Sequence, residues 1–185
     1  MKRASAPPVV RFRQSRIQDG IPTALDHWRV TTADPDVASA IHSVLGGRTP
    51  ALWPSASTDN LEVLTATDAA DVIVEDVRYR VVGSDGADLD DERLTLAEHR
   101  GRARTDRRRC ITTLIFRLPG LGGHLCAFRS SSWDLALRWQ KDGLFAPAVV
   151  RGPAVLSIGG TPSRATNGHP YPMPVVTLVP RAAAA

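Results

Sequence analysis

The chain has 185 residues, enough for one domain that buries most of its apolar surface. Hydrophobic residues make up 43% and charged residues 23%, which is typical of a globular protein, and every apolar run is far shorter than the ~20 residues of a membrane span. The net charge of +4 is carried by arginine, because Lys2 and Lys141 are the two lysines. Arginine favours planar, bidentate contacts, so the composition permits binding to nucleic acid or to an acidic partner.

The first residues and the cysteines indicate the compartment. Residues 1–8 are basic and lack the apolar core of a secretion signal, so we expect a disordered tail and a cytoplasmic protein. The two cysteines, Cys110 and Cys126, suit a reducing compartment and are too few to form a zinc site. We therefore expect two partly buried thiols and no disulfide.

Residues 21–47 carry the clearest local signals, a short strand followed by a helix at 35–45. Asp34 can cap this helix, because its carboxylate can accept from the N–H groups of the first turn. Pro35 follows at a position where a missing N–H costs nothing, and Gly46–Gly47 can end the helix. Four residues are predicted to form its apolar face: Val37, Ile41, Val44 and Leu45.

Alternating apolar and polar residues predict strands before and after this helix. These strands are Val9–Arg13, His27–Thr31, Leu61–Thr67, Ala70–Glu75 and Val77–Val82, with a short edge strand or loop at Leu52. A turn at Asp19–Gly20 follows the first strand. No segment of crossover length separates the later strands, so we expect antiparallel pairing there.

Residues 83–109 combine a run of acids with a run of arginines and predict an exposed, flexible charged insertion. The arginines are Arg100, Arg102, Arg104, Arg107, Arg108 and Arg109. They could bind phosphates, or they could form weak surface pairs with the neighbouring acids.

The last third predicts two hairpins and a second helix. Cys110–Leu118 pairs with His124–Arg129, and Ala154–Ile158 pairs with Met173–Val179 across a long polar loop. A helix is predicted at 131–141. Trp28 and Trp133 are expected in the core, whereas Trp139 lies off the apolar stripe and could be an exposed partner contact or a core residue.

These elements together predict an α+β fold. We expect a single domain at 9–180, a mostly antiparallel sheet of about eight short strands, two α-helices near 35–45 and 131–141, and a disordered end at 181–185.

The sequence lacks the usual catalytic patterns. No GxSxG elbow is present, and the five histidines occur singly rather than in metal-binding pairs. GLGG at Gly120–Gly123 is not followed by the third glycine of a dinucleotide-binding fingerprint. We expect a non-catalytic protein without cofactor or metal.

Short motifs occur in order along residues 9–179. The first set contains Pro22, Leu25, Asp26, Trp28, Arg29, Thr31–Thr32, Asp34, Pro35, Gly46, Gly47, Trp53 and Glu62–Thr65. The second set contains Cys110, Thr112–Thr113, Leu118–Gly122, Arg129–Ser130, Trp133–Ala136 and Pro172–Val176. In content and order they resemble the phage recombination directionality factor-like family, the excision factors that partner large serine integrases. Longer members carry a cysteine-bearing stretch where this chain has its charged insertion, so no metal site is carried over.

The resemblance implies a non-catalytic protein that binds its integrase and favours excision (attL × attR) over integration (attP × attB). Such a factor shifts a population by binding one integrase arrangement better than another. It would meet DNA through the integrase synapse, with direct DNA contact as a further possibility and no membrane contact.

The resemblance also divides the residues into two groups. Leu25, Asp26, Trp28, Arg29, Asp34, Pro35, Gly46 and Gly47 form the structural framework, with Asp26 and Arg29 expected to fix the turn into the first helix. Contact candidates are Arg100, Arg102, Arg104, Arg107, Arg108 and Trp139.

Two other hypotheses stay open. One is a small phage or mobile-element DNA-binding accessory protein that acts through the arginine-rich block. The other is an interaction protein unrelated to recombination.

Overall fold

The structure, a computed structural model, describes residues 10–18, 20–52, 61–81, 110–130 and 151–181. The predicted charged insertion at 83–109, the predicted helix at 131–141 and residues 1–8 and 182–185 lie outside these ranges. Within the described ranges, no helix is long and apolar enough to span a membrane.

The described residues form one sheet of nine strands and one α-helix. In chain order the elements are β1 (Val10–Gln18), β2 (Ile21–Thr32), α1 (Pro35–Leu45), β3 (Ala51–Leu52), β4 (Leu61–Leu64), β5 (Ala69–Val81), β6 (Cys110–Arg117), β7 (Leu125–Ser130), β8 (Gly152–Arg164) and β9 (Pro170–Pro180). The strand order across the sheet is β3-β4-β2-β1-β7-β6-β5-β8-β9. The predicted α+β class and mostly antiparallel sheet are confirmed.

One strand pair is parallel, and it joins the two halves of the sheet. β1 lies beside β7, with Val10 opposite Cys126 and Phe12 opposite Phe128. All other neighbouring strands are antiparallel. The predicted hairpin of β6 and β7 is confirmed, and its second strand brings the chain back to β1.

β2 contains an irregularity that coincides with the first motif. Arg13 of β1 is opposite Arg29 of β2, whereas Ser15 of β1 is opposite Ala24 of β2. Between these two pairs, β2 has four residues (25–28) and β1 has one, Gln14. Extra residues in one strand bend it and re-aim its side chains. Trp28 lies next to this irregularity on the same side of β2 as Val30, and it is fully buried in the core as predicted.

Aromatic side chains from three strands pack around Trp28. Phe12 lies edge-on to Trp28 at 5.3 Å and to Phe116 at 5.1 Å, and Phe128 lies edge-on to Trp28 at 6.0 Å. Edge-to-face pairs of this kind add to the stabilisation from buried area. The backbone oxygen of Trp28 also accepts from the N–H of Thr65 at 3.0 Å.

The helix begins and ends as predicted. The Asp34 carboxylate accepts from the N–H groups of Asp36 (2.9 Å) and Val37 (3.2 Å), and Pro35 is the first helical residue. At the other end the Gly46 N–H donates to the His42 carbonyl at 2.8 Å.

The buried face of α1 differs from the predicted one at one residue. Val37, Ala38, Ile41 and Leu45 are buried. Val44 is 41% exposed, so its predicted place in the core is wrong. Successive residues of an α-helix are rotated by roughly 100° about its axis, so the buried stripe of α1 is centred at an angle between those of Val37 and Ala38. Val44 projects from the edge of that stripe.

The turn into α1 is not fixed by the predicted pair, Asp26 and Arg29. The Asp34 N–H donates to the Thr32 hydroxyl at 3.2 Å, which orients the capping residue. Asp26 is exposed on the bend of β2, and Arg29 contacts Glu62 of β4.

The strands are longer than predicted in the second half of the fold. Residues 70–75 and 77–82 were predicted as two strands, but Ala69–Val81 is one strand with a register shift between Val74 and Asp76. β8 and β9 pair from Ala154↔Pro180 to Arg164↔Pro170, so most of the predicted long loop belongs to the ribbon. The sheet curls so that this ribbon lies against β2.

Candidate partner-binding surface

The sheet has a core face, which carries the aromatic cluster, and an opposite face that we call the outer face. Because side chains alternate along a strand, the neighbours of buried residues point outward. On β1, Val10 and Phe12 are buried, and Arg11 and Arg13 lie on the outer face. The alternation of apolar and basic residues that predicted this strand therefore gives it one apolar face and one basic face.

Four arginines of the outer face come from three adjacent strands. Arg13 of β1 is directly opposite Arg29 of β2. Arg11 is opposite Ala127 of β7, and Arg129 follows two residues further along β7. We call Arg11, Arg13, Arg29 and Arg129 the arginine cluster.

The environment of Arg13 shows how close these charges are. Its pKa is lowered from the ordinary value, first by burial and then by the positive charges of Arg11 and Arg29, with a smaller effect from Arg129. The carboxylate of Glu62 acts in the opposite direction. The cluster thus concentrates positive charge in a partly desolvated place, where electrostatic interactions are stronger than in water.

Glu62 is the acid of the described residues that contacts the cluster directly. Its Oε1 lies 3.3 Å from Nε of Arg29, and the two side chains are 13% and 23% exposed. This contact joins β4 to β2 on the outer face, next to the register pair Thr31↔Glu62.

Thr31 occupies the position between Glu62 and Arg11 in the cross-strand row. It is only 2% exposed, and its hydroxyl has no hydrogen-bond partner within the part of the chain that the structure describes. A buried hydroxyl usually has a partner, so this one is an exception that calls for an explanation.

The other half of the outer face carries arginines that contact acids. Arg78 lies 3.1 Å from Asp76, Arg117 lies 2.7 Å from Glu75, and Arg181 lies 2.7 Å from Asp71. Contacts between arginine and acid side chains therefore occur on both halves of this face.

The cluster joins residues from motifs that are far apart in the sequence. Arg29 belongs to the first motif, Glu62 to the strand motif that follows the helix, and Arg129 to the step after β7. The fold brings these three residues to one face. The motifs thus supply surface residues as well as the core residue Trp28.

The contact candidates chosen from the sequence, Arg100, Arg102, Arg104, Arg107, Arg108 and Trp139, lie outside the described residues. Sequence reasoning missed Arg11, Arg13 and Arg129 as a site. The alternating arginines of β1 were a signal for one exposed strand face, but the approach of Arg129 depends on the β1–β7 pairing.

The framework residues predicted from the sequence lie on β2, at the start of α1 and just after it, and Leu25 is partly buried on the bend of β2.

Among the described residues, no group of three His, Cys, Asp or Glu side chains could hold a metal ion. Cys126 is a buried free thiol.

Comparison of the chain with protein-family models, with curated proteins and with solved structures gave no match. The resemblance to the recombination directionality factor-like family rests on the ordered motifs.

Proposed function

We propose that this chain is a non-catalytic recombination directionality factor that binds a large serine integrase and switches it from integration to excision. The observation that supports this proposal best is the convergence of Arg29, Glu62 and Arg129 on one face of the sheet. Three motifs of the resemblance contribute to that face, which makes the arginine cluster the candidate contact surface for the integrase.

The position of the cluster suits protein recognition. Arginine is enriched among the residues that dominate protein interfaces, because it combines a planar charge with apolar contact area. The cluster lies on β1, β2 and β7, which are inner strands of the sheet. A surface held by paired strands loses little conformational freedom on binding, so more of the interaction energy appears as affinity.

The mechanism requires differential affinity. A factor that binds both integrase arrangements equally well shifts nothing, however tightly it binds. Preference for the excision-competent arrangement by a few kcal/mol is enough to reverse the balance between the two reactions.

The test is recombination in vitro with the purified integrase encoded beside the gene for this chain. We expect the wild-type chain to promote attL × attR recombination, to inhibit attP × attB recombination and to co-elute with the integrase. The double variant Arg11→Ala/Arg129→Ala removes two exposed members of the cluster. Its affinity for the integrase should fall roughly tenfold or more, as for truncation of interface arginines.

The matched control is Arg151→Ala/Arg164→Ala, which removes the same charge from exposed positions just before β8 and at its end. It should leave excision intact. An equal loss in the control would show that net charge rather than the cluster matters. A wild-type chain that neither alters the two reactions nor co-elutes with the integrase would refute the proposed function.

A DNA-binding accessory protein is the competing function, because arginines on a sheet can also contact phosphates. It predicts that the chain alone retards duplex DNA and that the affinity falls steeply with salt. A mobility-shift assay without integrase distinguishes the two functions.

A further inference from the structure

We infer that Asn167 is a site of spontaneous covalent modification, at which the backbone nitrogen of Gly168 attacks the side-chain amide and converts it to a carboxylate. The site lies at the tip of the β8–β9 ribbon. The inference goes beyond the proposed function and does not depend on it.

The tip of the ribbon is a short exposed loop. The Ala165 N–H donates to the His169 carbonyl at 2.9 Å, and the Gly168 N–H donates to the Ala165 carbonyl at 2.8 Å. With Gly168 at a φ of 84°, these bonds are typical of a type I turn followed by a glycine bulge. Thr166, Asn167 and Gly168 are all exposed, so water and base can reach them.

The glycine after Asn167 is the first observation, because the attack needs an unhindered nitrogen. Gly168 has no Cβ beside the attacking atom, and glycine allows close approach of the backbone. The chain has one other asparagine, Asn60, which precedes Leu61. A leucine side chain hinders the same attack, so Asn167 is the reactive member of the pair.

The side-chain conformation of Asn167 is the second observation. Its Oδ1 accepts from the His169 N–H at 3.2 Å, which folds the amide back over the backbone that follows. Negative charge develops on this oxygen when its carbonyl carbon is attacked, and a backbone N–H aimed at the oxygen stabilises that charge. The bond from Gly168 to Ala165 must open before the attack, and a hydrogen bond at an exposed loop tip opens at little cost in free energy.

The reaction uses base and water. A base removes the proton of the Gly168 N–H, the nitrogen bonds to Cγ of Asn167, and the Cγ–Nδ2 bond breaks with release of ammonia, which leaves a cyclic succinimide. Water then opens the ring. Cleavage of the bond between Cγ and the Gly168 nitrogen gives aspartate, whereas cleavage at the backbone carbonyl gives isoaspartate, in which the chain continues through Cγ.

The product changes the charge of the ribbon. Residues 151–181 contain three arginines and no aspartate or glutamate, so the conversion introduces the first acid of this segment. The new carboxylate forms close to Arg164, whose Nη1 donates to the Gly168 carbonyl at 3.2 Å. An ageing sample of the chain therefore contains two charge forms that differ at the ribbon tip.

The test is incubation of the purified full chain at mildly alkaline pH and body temperature, followed by tryptic digestion and mass spectrometry. We expect the peptide that begins at Ala165 to gain, over days, the mass difference between an amide and an acid. The products should separate into an aspartate and an isoaspartate form. The peptide that contains Asn60 should stay unchanged in the same sample.

Two variants separate this reaction from general hydrolysis. Gly168→Ala should slow the conversion roughly tenfold, an increase of about 1.4 kcal/mol in the barrier, because the added methyl group hinders the nitrogen. That methyl group meets nothing within 4 Å, so the variant should keep the fold. Asn167→Gln keeps an amide at the tip but needs a larger ring, so it should not convert.

Incubation in guanidinium chloride measures what the fold contributes. We expect Asn167 to convert in both the folded and the unfolded chain, since the loop is exposed in the folded one. The inference is overturned if Asn167 stays unchanged in the folded chain, if Asn60 converts as fast, or if Gly168→Ala converts as fast as wild type. A chain that converts but does not promote excision rejects the proposed function alone, and the reverse pair of results rejects this site alone.

Discussion

Cys126 lies at the seam between the two halves of the sheet, opposite Val10 on β1 and Phe116 on β6. Burial raises the pKa of its thiol to about 12, and a hydrogen bond with the Leu118 backbone offsets only part of that effect. The thiolate is the reactive form of cysteine, so the fold keeps this residue inert.

We expect Cys126 in a Cys110→Ser variant to react with a thiol reagent at mildly alkaline pH only as fast as the chain unfolds. Because the folded pKa lies above the ordinary value of 9.0, stabilisation by the neutral thiol is complete below about pH 9 and is lost as the pH rises towards 12. Urea unfolding across this range measures the loss. The control Cys110→Ser/Cys126→Ala should show a shallower decline, and rapid labelling of the folded chain would contradict the prediction.

Gly47 shows what the end of α1 does for the fold. Both glycines after the helix have positive φ, 65° at Gly46 and 101° at Gly47. A Cβ on Gly47 would lie 2.0 Å from the Leu64 carbonyl oxygen. The backbone therefore passes directly over β4, where the Arg48 N–H donates to that oxygen at 2.9 Å. The glycine motif predicted a helix stop, and the tertiary structure adds a close contact that only glycine permits.

Gly47→Ala should lower the free energy of unfolding by roughly 3 kcal/mol, because it adds a backbone clash to the cost of a positive φ. Gly20→Ala is the matched control. Its φ is 76°, but a Cβ there meets nothing within 4 Å, so the loss should be only ~1 kcal/mol. Chemical denaturation of both variants measures the difference, and equal losses would show that the contact with β4 is unimportant.

Within the described part of the chain the sheet ends at β3 and at β9, and each of these edge strands limits pairing with another chain. The β3 edge is two residues long. Two backbone hydrogen bonds define the pattern of the ribbon: the Arg181 N–H donates to the Pro153 carbonyl (2.8 Å), and the Ala165 N–H donates to the His169 carbonyl (2.9 Å). They show that the backbone N–H groups of odd-numbered β9 residues point towards β8. Even-numbered residues of β9 therefore direct their amide nitrogens outward, and four of them are prolines: Pro170, Pro172, Pro174 and Pro180. Proline offers no N–H to an incoming strand.

Pro172→Val/Pro174→Val should increase self-association, because it restores two outward N–H groups, each worth about 1 kcal/mol of net hydrogen bonding in a new strand pair. Sedimentation velocity over a range of concentrations measures the change. Thr177→Val is the control, since it adds apolar surface to the same strand at a position whose N–H faces β8. Equal association in the control would attribute the effect to hydrophobicity instead of edge pairing.

The prolines of β9 also explain why part of the fold was not predictable. A segment rich in Gly and Pro normally indicates a loop, and Gly159–Tyr171 was predicted as one. In the structure its two prolines, Pro162 on β8 and Pro170 on β9, lie in pairs that exchange no backbone hydrogen bonds, so neither missing N–H is needed within the ribbon, and the pairing continues to Arg164↔Pro170. Local composition does not reveal which side of a strand is free.

Short-range signals determined much of this protein. The Asp34 cap, the glycine stop, the hairpins and the alternation of β1 each involve residues within a few positions of one another, so the sequence alone predicts them. The arginine cluster and the isolated hydroxyl of Thr31 depend on which distant strands become neighbours. The tertiary structure alone decided these features, because the parallel pairing of β1 with β7 results from burying the shared core, and no local pattern encodes it.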